Sequence, residues 1–93
     1  MQSLAGQKIH FIGIGGSGMS GLARIALSDG ISVSGSDAKD SSVLTALKAL
    51  GATVYTSHAT ENVADADVVI YSTAISANNP EMAFAVQRSI PIH

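Results

Sequence analysis

Three glycines near the start of the chain have the spacing of residues that hold a phosphate group. Gly13, Gly15 and Gly18 follow the pattern G-x-G-x-x-G, directly after a short apolar run and directly before a helical pattern. This spacing lets a chain leave a strand and enter a helix within a few residues, so that the unpaired N–H groups of the first helical turn point together. The sequence therefore predicts an anion site at this turn, and the charge of a diphosphate suits it.

Each glycine has its own predicted reason. Gly13 supplies the positive φ that the turn requires. A Cβ at Gly15 is expected to stand between the backbone and a bound phosphate, and Gly18 is expected to let the helix start lie close against the strand. A structural turn without a ligand is the alternative, because tight turns also use glycine for geometry alone. The open N–H groups are expected roughly from Ser17 to Ser20. The candidate residues of the whole loop are Gly13, Gly15, Gly16, Ser17, Gly18, Met19 and Ser20.

Polar residues that follow the other predicted strands are further candidates. Asp37 lies near the distance expected for an acid that binds ribose hydroxyls, and the alternative is a turn or cap residue. His58 is a candidate contact for a base or sugar, or else a solvated loop histidine. The loop of Ser72, Thr73 and Ala74 offers hydroxyls that either bind phosphate or sugar oxygens or stabilise the loop itself.

Other residues have structural interpretations, and several kinds of chemistry are missing. His10 lies inside the first predicted strand and is interpreted as structural, and the Met19 side chain is interpreted as core although its amide belongs to the anion site. The three histidines lack metal-type spacing and the chain has no cysteine, so a zinc site is not expected. No Walker motif or nucleophile elbow occurs, and no catalytic residue is predicted.

Alternating strand-like and helix-like segments predict the elements that position these residues. The order favours parallel strands joined by right-handed crossovers. We therefore predict an α/β fold, a Rossmann-like doubly wound five-stranded parallel sheet in a single three-layer domain, with the fourth strand in the sheet centre. The third helix is expected to begin at Asn79-Pro80-Glu81 and to bury Met82, Ala83, Phe84 and Val86. The predicted strands lie at 9–14, 31–36, 53–56, 68–70 and 90–92, and the predicted helices at 17–28, 43–50 and from 80 onwards, with 1–7 as a lead-in.

Composition limits the class of protein. The 93 residues suffice for one domain at most, and 46% apolar against 13% charged residues indicates a folded core. Five basic and seven acidic side chains give a net charge of -2, so no nucleic-acid partner is expected. Without a targeting segment or a membrane-length apolar run, the sequence is interpreted as a soluble intracellular domain with no membrane partner.

Several segments together resemble a known family. They are IHFIGIGGSGMSGLA from residue 9, VSGSD from residue 33, LGA from residue 50, HATENV from residue 58, STAI from residue 72 and NNPE from residue 78. The set closely resembles the start of the L-alanine-adding members of the Mur ligase family and covers nearly the whole chain. The resemblance implies a cytoplasmic ligase of peptidoglycan synthesis, which builds the cell wall and thereby serves cell shape and division.

The implied reaction joins L-alanine to the lactyl carboxylate of UDP-N-acetylmuramic acid, using ATP and Mg²⁺. In the family ATP phosphorylates the carboxylate and the alanine amine attacks the acyl phosphate. Residues 1–93 are implied to be the N-terminal domain that holds the UDP end, while central and C-terminal domains absent here bind ATP and L-alanine. This fragment is therefore expected to need no cofactor and to be inactive alone.

The resemblance also assigns roles by position. Gly15 to Ser20 are implied to contact the diphosphate and Asp37 the uridine, while His58 and the Ser72 to Ala74 loop line the nucleotide pocket. Two other functions stay open. An NAD(P)-binding domain of an oxidoreductase satisfies the same glycine and Asp37 pattern but normally needs a second mononucleotide half. A stand-alone nucleotide-sensing module is the other.

Overall fold

The centre of the protein is a parallel sheet of four strands, seen in a computed structural model that describes residues 4–93. The strands are β1 (Lys8–Ile12), β2 (Ser32–Ser36), β3 (Thr53–Tyr55) and β4 (Val68–Tyr71), in the order β3-β2-β1-β4. The chain first winds from β1 to β3 in one direction and then returns to the other side of β1. The strand order therefore reverses at β1, which is where doubly wound sheets bind their ligands.

Helices cover both faces of the sheet. They are α1 (Ser17–Ser28), α2 (Ser42–Ala49) and α3 (Pro80–Gln87), and a 3-10 turn spans Thr60–Asn62. Helices α1 and α2 pack on one face, and α3 with the 3-10 turn packs on the other. The predicted α/β, doubly wound class is confirmed. The longest helix, α1, has 12 residues, and no helix within residues 4–93 is long and apolar enough to cross a membrane.

Alternation along β1 divides the core in two. Ile9 and Phe11 face α1 and α2, while His10 and Ile12 face α3. The first core also contains Met19, Ala23, Ala26, Val33, Leu44 and Leu47. The second contains Val63, Val69 and Ala85, together with a fully buried polar group of His10, Ser36 and Glu81. The two faces of the sheet thus differ, one apolar and the other partly polar.

The predicted fifth strand is present only as one isolated bridge. Val69 pairs in parallel with Ile92, and the Val69 N–H donates to the Pro91 carbonyl at 2.8 Å while the His93 N–H donates to the Val69 carbonyl at 2.8 Å. Because Pro91 has no N–H, one donor of a regular ladder is missing there. The predicted central position of β4 is also wrong, since β4 is an outer strand of the four-stranded sheet and β1 and β2 are central.

Helix α3 begins where predicted, and of the four side chains predicted to face inward, Met82 and Phe84 pack, partly buried, against the second core. Glu81 and Ala85 are buried, whereas Val86 is 66% exposed and Ala83 is also exposed. The apolar pattern did not predict this face in full because one of its buried positions is taken by a charged residue, Glu81. Of the predicted lead-in, residues 1–3 lie outside the described residues, and the Gln7 N–H donates to the Leu4 carbonyl at 2.9 Å just before β1.

Candidate functional site

The glycine loop after β1 is fixed by the end of β2. The N–H groups of Gly13 and Ile14 both donate to the Ser36 carbonyl, at 2.8 and 3.0 Å. Gly13 has φ +84°, so the predicted positive φ is confirmed. A Cβ on Gly13 would also lie 3.2 Å from Cβ of Ser72, which places the loop after β4 directly against the glycine loop.

Gly15 lies directly against the carboxylate of Asp37. Its N–H donates to Oδ2 of Asp37 at 2.9 Å, and a Cβ at this position would lie 2.8 Å from the same oxygen. The missing side chain therefore leaves room for the carboxylate of Asp37, and its role in admitting a ligand phosphate stays a prediction. Since the Gly15 amide is already occupied, it is not part of the free anion-binding surface.

Close packing between the glycine loop and the sheet depends on Gly35 and not on Gly18. A Cβ at Gly18 would meet only open space, so the predicted contact between helix start and strand is wrong. A Cβ at Gly35, in β2, would overlap the side chain of Ile14. Gly35 sits between two serines in a segment that was assigned as an ordinary strand, and nothing local in the sequence marks it as a packing position.

The first turn of α1 leaves three amides open. Within residues 4–93 no hydrogen-bond partner occurs for the N–H groups of Ser17, Gly18 and Met19, whereas the Ser20 N–H donates to the Gly16 carbonyl at 2.8 Å. The predicted set of free amides therefore loses Ser20. No acidic residue lies in this turn, and the Asp37 carboxylate accepts the N–H of Gly15 just before it rather than one of the three open N–H groups. The Met19 side chain is buried in the core, as predicted.

A cavity of about 280 Å³ adjoins this turn. It is lined by Gly15, Gly16, Asp37, Lys39 and Ser41. Asp37 accepts the Gly15 N–H through Oδ2 and the Lys39 N–H through Oδ1, at 3.1 Å, so the turn role considered for it is present. Its contact with a uridine stays a prediction. Lys39 was not singled out from the sequence, although a cation two residues after Asp37 is a fitting counter-charge for a diphosphate.

The loop after β4 is held by hydrogen bonds within the loop and by one to β1. The Ser72 hydroxyl accepts the Ala74 N–H at 3.2 Å, and the Ser72 N–H donates to the Ile12 carbonyl at 3.1 Å. Thr73 and Ala74 are exposed. The structure therefore brings Ser72 to the glycine loop but not into the lining of the 280 Å³ cavity, and the ligand roles of Ser72, Thr73 and Ala74 remain predictions.

His58 belongs to a buried polar cluster at the same edge of the sheet. Its Nδ1 lies 2.8 Å from the Ser36 hydroxyl, which in turn donates to Oε1 of Glu81 at 2.6 Å. Nε2 of His10 bonds the same Oε1 at 2.6 Å, and Nδ1 of His10 lies 2.7 Å from the Ser34 hydroxyl. The structural interpretation of His10 is thus correct. Glu81 was predicted only as a favourable acid at a helix start.

The cluster keeps Glu81 ionised. Burial by itself raises the pKa of this carboxyl, but hydrogen bonds from His10, Ser36, Asn62 and the Ala59 N–H outweigh burial and lower its pKa to about 2. Oε2 accepts the Ala59 N–H and the Asn62 side-chain amide, both at 3.0 Å. A buried carboxylate with this many donors behaves as a pure acceptor near neutral pH.

The rest of the described chain offers one further cavity and no metal-type cluster of side chains. Residues 4–93 contain no group of three or more His, Asp or Glu side chains placed to hold a metal ion. A second cavity, of about 180 Å³, lies over the serine-rich face of β2. Its lining includes Lys8, Ser32, Ser34, Glu61 and Asp65, none of which was predicted as a site residue.

Comparison with known proteins identifies the family. The model of the family described as "Mur ligase family, catalytic domain" matches residues 8–93. This chain belongs to the Mur ligase family. Among Mur ligases it is 65% identical, over 78 residues, to the UDP-N-acetylmuramate–L-alanine ligase of Renibacterium salmoninarum, which covers 84% of this chain and 17% of that protein.

Two solved structures of Mur ligases share the fold closely. UDP-N-acetylmuramate-alanine ligase MurC from Thermotoga maritima has a TM-score of 0.89 at 38% identity, covering 92% of this chain and 20% of that one. The UDP-N-acetylmuramate:L-alanyl-gamma-D-glutamyl-meso-diaminopimelate ligase from Neisseria meningitides has a TM-score of 0.85 at 34% identity, covering 94% and 28%. The chain spans about a fifth of the length of the curated relatives it matches.

Proposed function

We propose that this chain binds the UDP portion of UDP-N-acetylmuramic acid. It serves as the substrate-binding N-terminal domain of an ATP-dependent ligase that adds L-alanine during peptidoglycan synthesis in the cytoplasm. The observation that carries the proposal is the set of three open amides at Ser17, Gly18 and Met19, next to a cavity that contains Lys39. Open amides at a helix N-terminus bind phosphate oxygens, and a lysine beside them adds opposite charge.

The names of the relatives support the same ligand. The Renibacterium and Neisseria proteins are named for different acceptor groups, L-alanine in one and a tripeptide in the other, but both names contain UDP-N-acetylmuramate. Both match this chain over most of its length. A segment shared by enzymes that differ in the attached group fits the component that they have in common, and this favours the sugar nucleotide.

The proposed division of labour leaves chemistry to other parts of the enzyme. The residues here offer amides, hydroxyls, a lysine and an imidazole, which bind and orient a substrate, but they do not fit a Mg²⁺ site. ATP, Mg²⁺ and L-alanine are accordingly proposed to bind to segments beyond these residues. Binding energy from the UDP end, remote from the carboxylate, positions that carboxylate for its activation.

An NAD(P)-binding domain is the rival with the same glycine pattern. Solved dehydrogenase structures match this chain below 25% identity, and such a match shows only a shared fold.

Titrating the ¹⁵N-labelled chain with UDP, UDP-N-acetylmuramate, NADH and NADPH separates the two functions. We expect saturable shifts of the open amides of Ser17, Gly18 and Met19 with both uridine ligands. Saturation by a dinucleotide alone assigns the domain to oxidoreductases and ends the proposal.

A single amide can be removed without disturbing the helix. Ser17 is the first residue of α1, a position that accepts proline, and Gly16 before it has φ −64° and ψ 150°, which suits a residue preceding proline. Ser17→Pro therefore deletes one open N–H, while Ser17→Ala deletes only the hydroxyl and is the matched control. Because hydrogen bonds to charged groups contribute roughly 1.5–3 kcal/mol, we expect UDP affinity to fall about tenfold or more in Ser17→Pro.

The comparison is made by isothermal titration after circular dichroism has verified that both variants keep their helix content. Equal affinities of Ser17→Pro and Ser17→Ala for UDP would place the diphosphate somewhere other than the first turn of α1.

A further inference from the structure

The contacts of Glu81 reach both the side chain and the backbone of the His58 segment. Oε1 accepts the Ser36 hydroxyl, which contacts Nδ1 of His58, and Oε2 lies 3.7 Å from the same Nδ1. Oε2 also accepts the N–H of Ala59, the residue after His58. The Asn62 amide that bonds Oε2 also donates to the Ser57 carbonyl at 3.0 Å. One carboxylate thus holds the loop on both sides of His58.

The hydrogen bonds fix which nitrogen of His58 carries a proton. An ionised carboxylate only accepts, so the Ser36 hydroxyl must donate its single proton to Glu81. The lone pairs of that hydroxyl then remain for Nδ1 of His58, and Nδ1 must be the donor. In the neutral ring Nε2 is consequently unprotonated and is a hydrogen-bond acceptor.

The free nitrogen lies at the outer side of the ring. Nδ1 points to the fully buried Ser36, the His58 side chain is 16% exposed, and no partner for Nε2 occurs in the part of the chain that the structure describes. Ser36 also accepts hydrogen bonds from the glycine loop through its carbonyl. This one residue therefore contacts both the glycine loop and the imidazole of His58. An acceptor at this place does not suit a phosphate, which needs donors, but it suits an N–H or O–H group.

We propose that Glu81, acting through Ser36, is a positioning residue that holds His58 as the Nδ1–H tautomer, so that Nε2 accepts a hydrogen bond from the uridine part of the ligand. The donor is either the imide N–H of uracil or a ribose hydroxyl. This inference rests on the proposed function for the identity of the ligand. It goes beyond that function by giving buried Glu81 and Ser36 a role in recognition.

The tautomer is measured directly in the 93-residue chain. Two-dimensional ¹H–¹⁵N spectra of the histidine rings, recorded at about pH 8 where an ordinary histidine is neutral, distinguish Nδ1–H from Nε2–H. We expect the Nδ1–H form for His58 in the wild type. Ser36→Ala removes the link to Glu81 and should release His58 into a mixture of tautomers. An Nε2–H ring in the wild type, or an unchanged ring in Ser36→Ala, overturns the proposal.

Ser34→Ala is the matched control. Ser34 lies two residues earlier on the same strand and the same face, and its hydroxyl contacts His10 but not His58. The control should therefore leave the His58 tautomer unchanged. If Ser36→Ala does not fold, Ser36→Cys keeps a side chain of similar shape with a much weaker donor and replaces it. The wild-type spectrum decides the tautomer in any case.

Ligand affinity tests the second half of the proposal. UDP should bind Ser36→Ala about fivefold more weakly than Ser34→Ala, as for the loss of one ordinary hydrogen bond. Equal affinities overturn the acceptor role, whereas a wild type that binds neither UDP nor UDP-N-acetylmuramate overturns the proposed function itself. CDP identifies the donor, because N3 of cytosine carries no proton. A loss in Ser36→Ala for UDP alone indicates the uracil imide, and an equal loss for both nucleotides indicates the ribose.

Discussion

Ser36 connects the two parts of the candidate site. Its carbonyl accepts the N–H groups of Gly13 and Ile14, and its hydroxyl joins His58 to Glu81. The backbone contacts do not depend on the side chain, whereas the hydroxyl contacts do. Changes to the Ser36 side chain therefore affect the imidazole while the glycine loop keeps its support.

Lys39 is the one cation among the residues that line the 280 Å³ cavity beside the open turn. Its positive charge offsets the negative charge of Asp37 in the same cavity. A diphosphate bound there is therefore not repelled by a net negative charge. We expect Lys39→Gln to weaken UDP binding about two- to fivefold at low salt, as for an exposed ion pair, with the loss shrinking as salt is added.

The control for Lys39 is Lys48→Gln, at the C-terminal end of α2 and away from the cavity. Both affinities are measured by isothermal titration at two salt concentrations. If the two variants lose the same affinity, the effect reports net charge and Lys39 has no local role.

Glu81 makes stability depend on pH in a defined direction. Its pKa is lowered from 4.5 to about 2 in the folded protein, so the ionised carboxylate stabilises the fold above about 4.5 and this contribution is lost as pH falls towards 2. The shift corresponds to roughly 3 kcal/mol in the free energy of unfolding. The titratable groups that face the carboxylate are His10 from β1 and His58 from the loop after β3.

Urea unfolding of wild type and Glu81→Gln between about pH 6 and pH 3 measures this contribution. The stability difference between the two proteins should decrease as pH falls. Glu61→Gln, at an exposed glutamate of the 3-10 turn, is the control and should follow the wild type. A pH-independent difference for Glu81→Gln would mean that folding does not lower the pKa of this carboxyl.

Residues whose role is local were the ones that the sequence predicted. Gly13 needs positive φ and Asn79 caps α3, accepting the Glu81 N–H at 2.9 Å, and both roles follow from neighbours in the chain. Glu81, by contrast, contacts His10 across 71 positions and Ser36 across 45. No spacing rule relates residues so far apart without the fold, so the buried cluster was missed.

At the scale of elements, β2 packs against the glycine loop through Gly35, whereas Gly18 in α1 makes no comparable contact. Gly35 has no room for a Cβ because Ile14, fully buried, occupies that space, whereas Gly18 has open space. We expect Gly35→Ala to lower the free energy of unfolding by about 1–3 kcal/mol through overpacking. Gly18→Ala should leave it unchanged or raise it by up to about 1 kcal/mol, since alanine is the better helix former.

Thermal and urea unfolding of Gly35→Ala and Gly18→Ala measures the two effects. The substitution, glycine to alanine, is the same at both positions. Equal stabilities would show that Ile14 adjusts freely and that the glycine of β2 is not a packing requirement.

The element bounds themselves were predicted within a few residues, because caps and glycine stops are local. The inward face of α3 was predicted only in part: Met82 and Phe84 pack against the core as predicted, but Glu81 takes an inward position that apolar periodicity assigns to a hydrophobic side chain.

At the scale of the whole molecule, the reversal of strand order at β1 brings the glycine loop, Ser36 and His58 to one edge of the sheet. The parallel topology was predictable from the alternation of strands and helices. The extent of the outermost pairing was not, since it depends on single backbone bonds such as those around Pro91.

Because the proposed site is built from several segments, its ligand should stabilise the molecule as a whole. A ligand that binds only the folded state at about one hundred times its Kd adds about 2.7 kcal/mol, which for a domain of this size raises Tm by roughly 10–20 °C. We expect UDP to raise Tm in a concentration-dependent, saturable manner, and to raise that of Ser17→Pro less at the same concentration. Scanning calorimetry with UDP, NADH and no ligand measures the shifts. A Tm that responds to NADH but not to UDP would contradict both the ligand and the family-based assignment of the site.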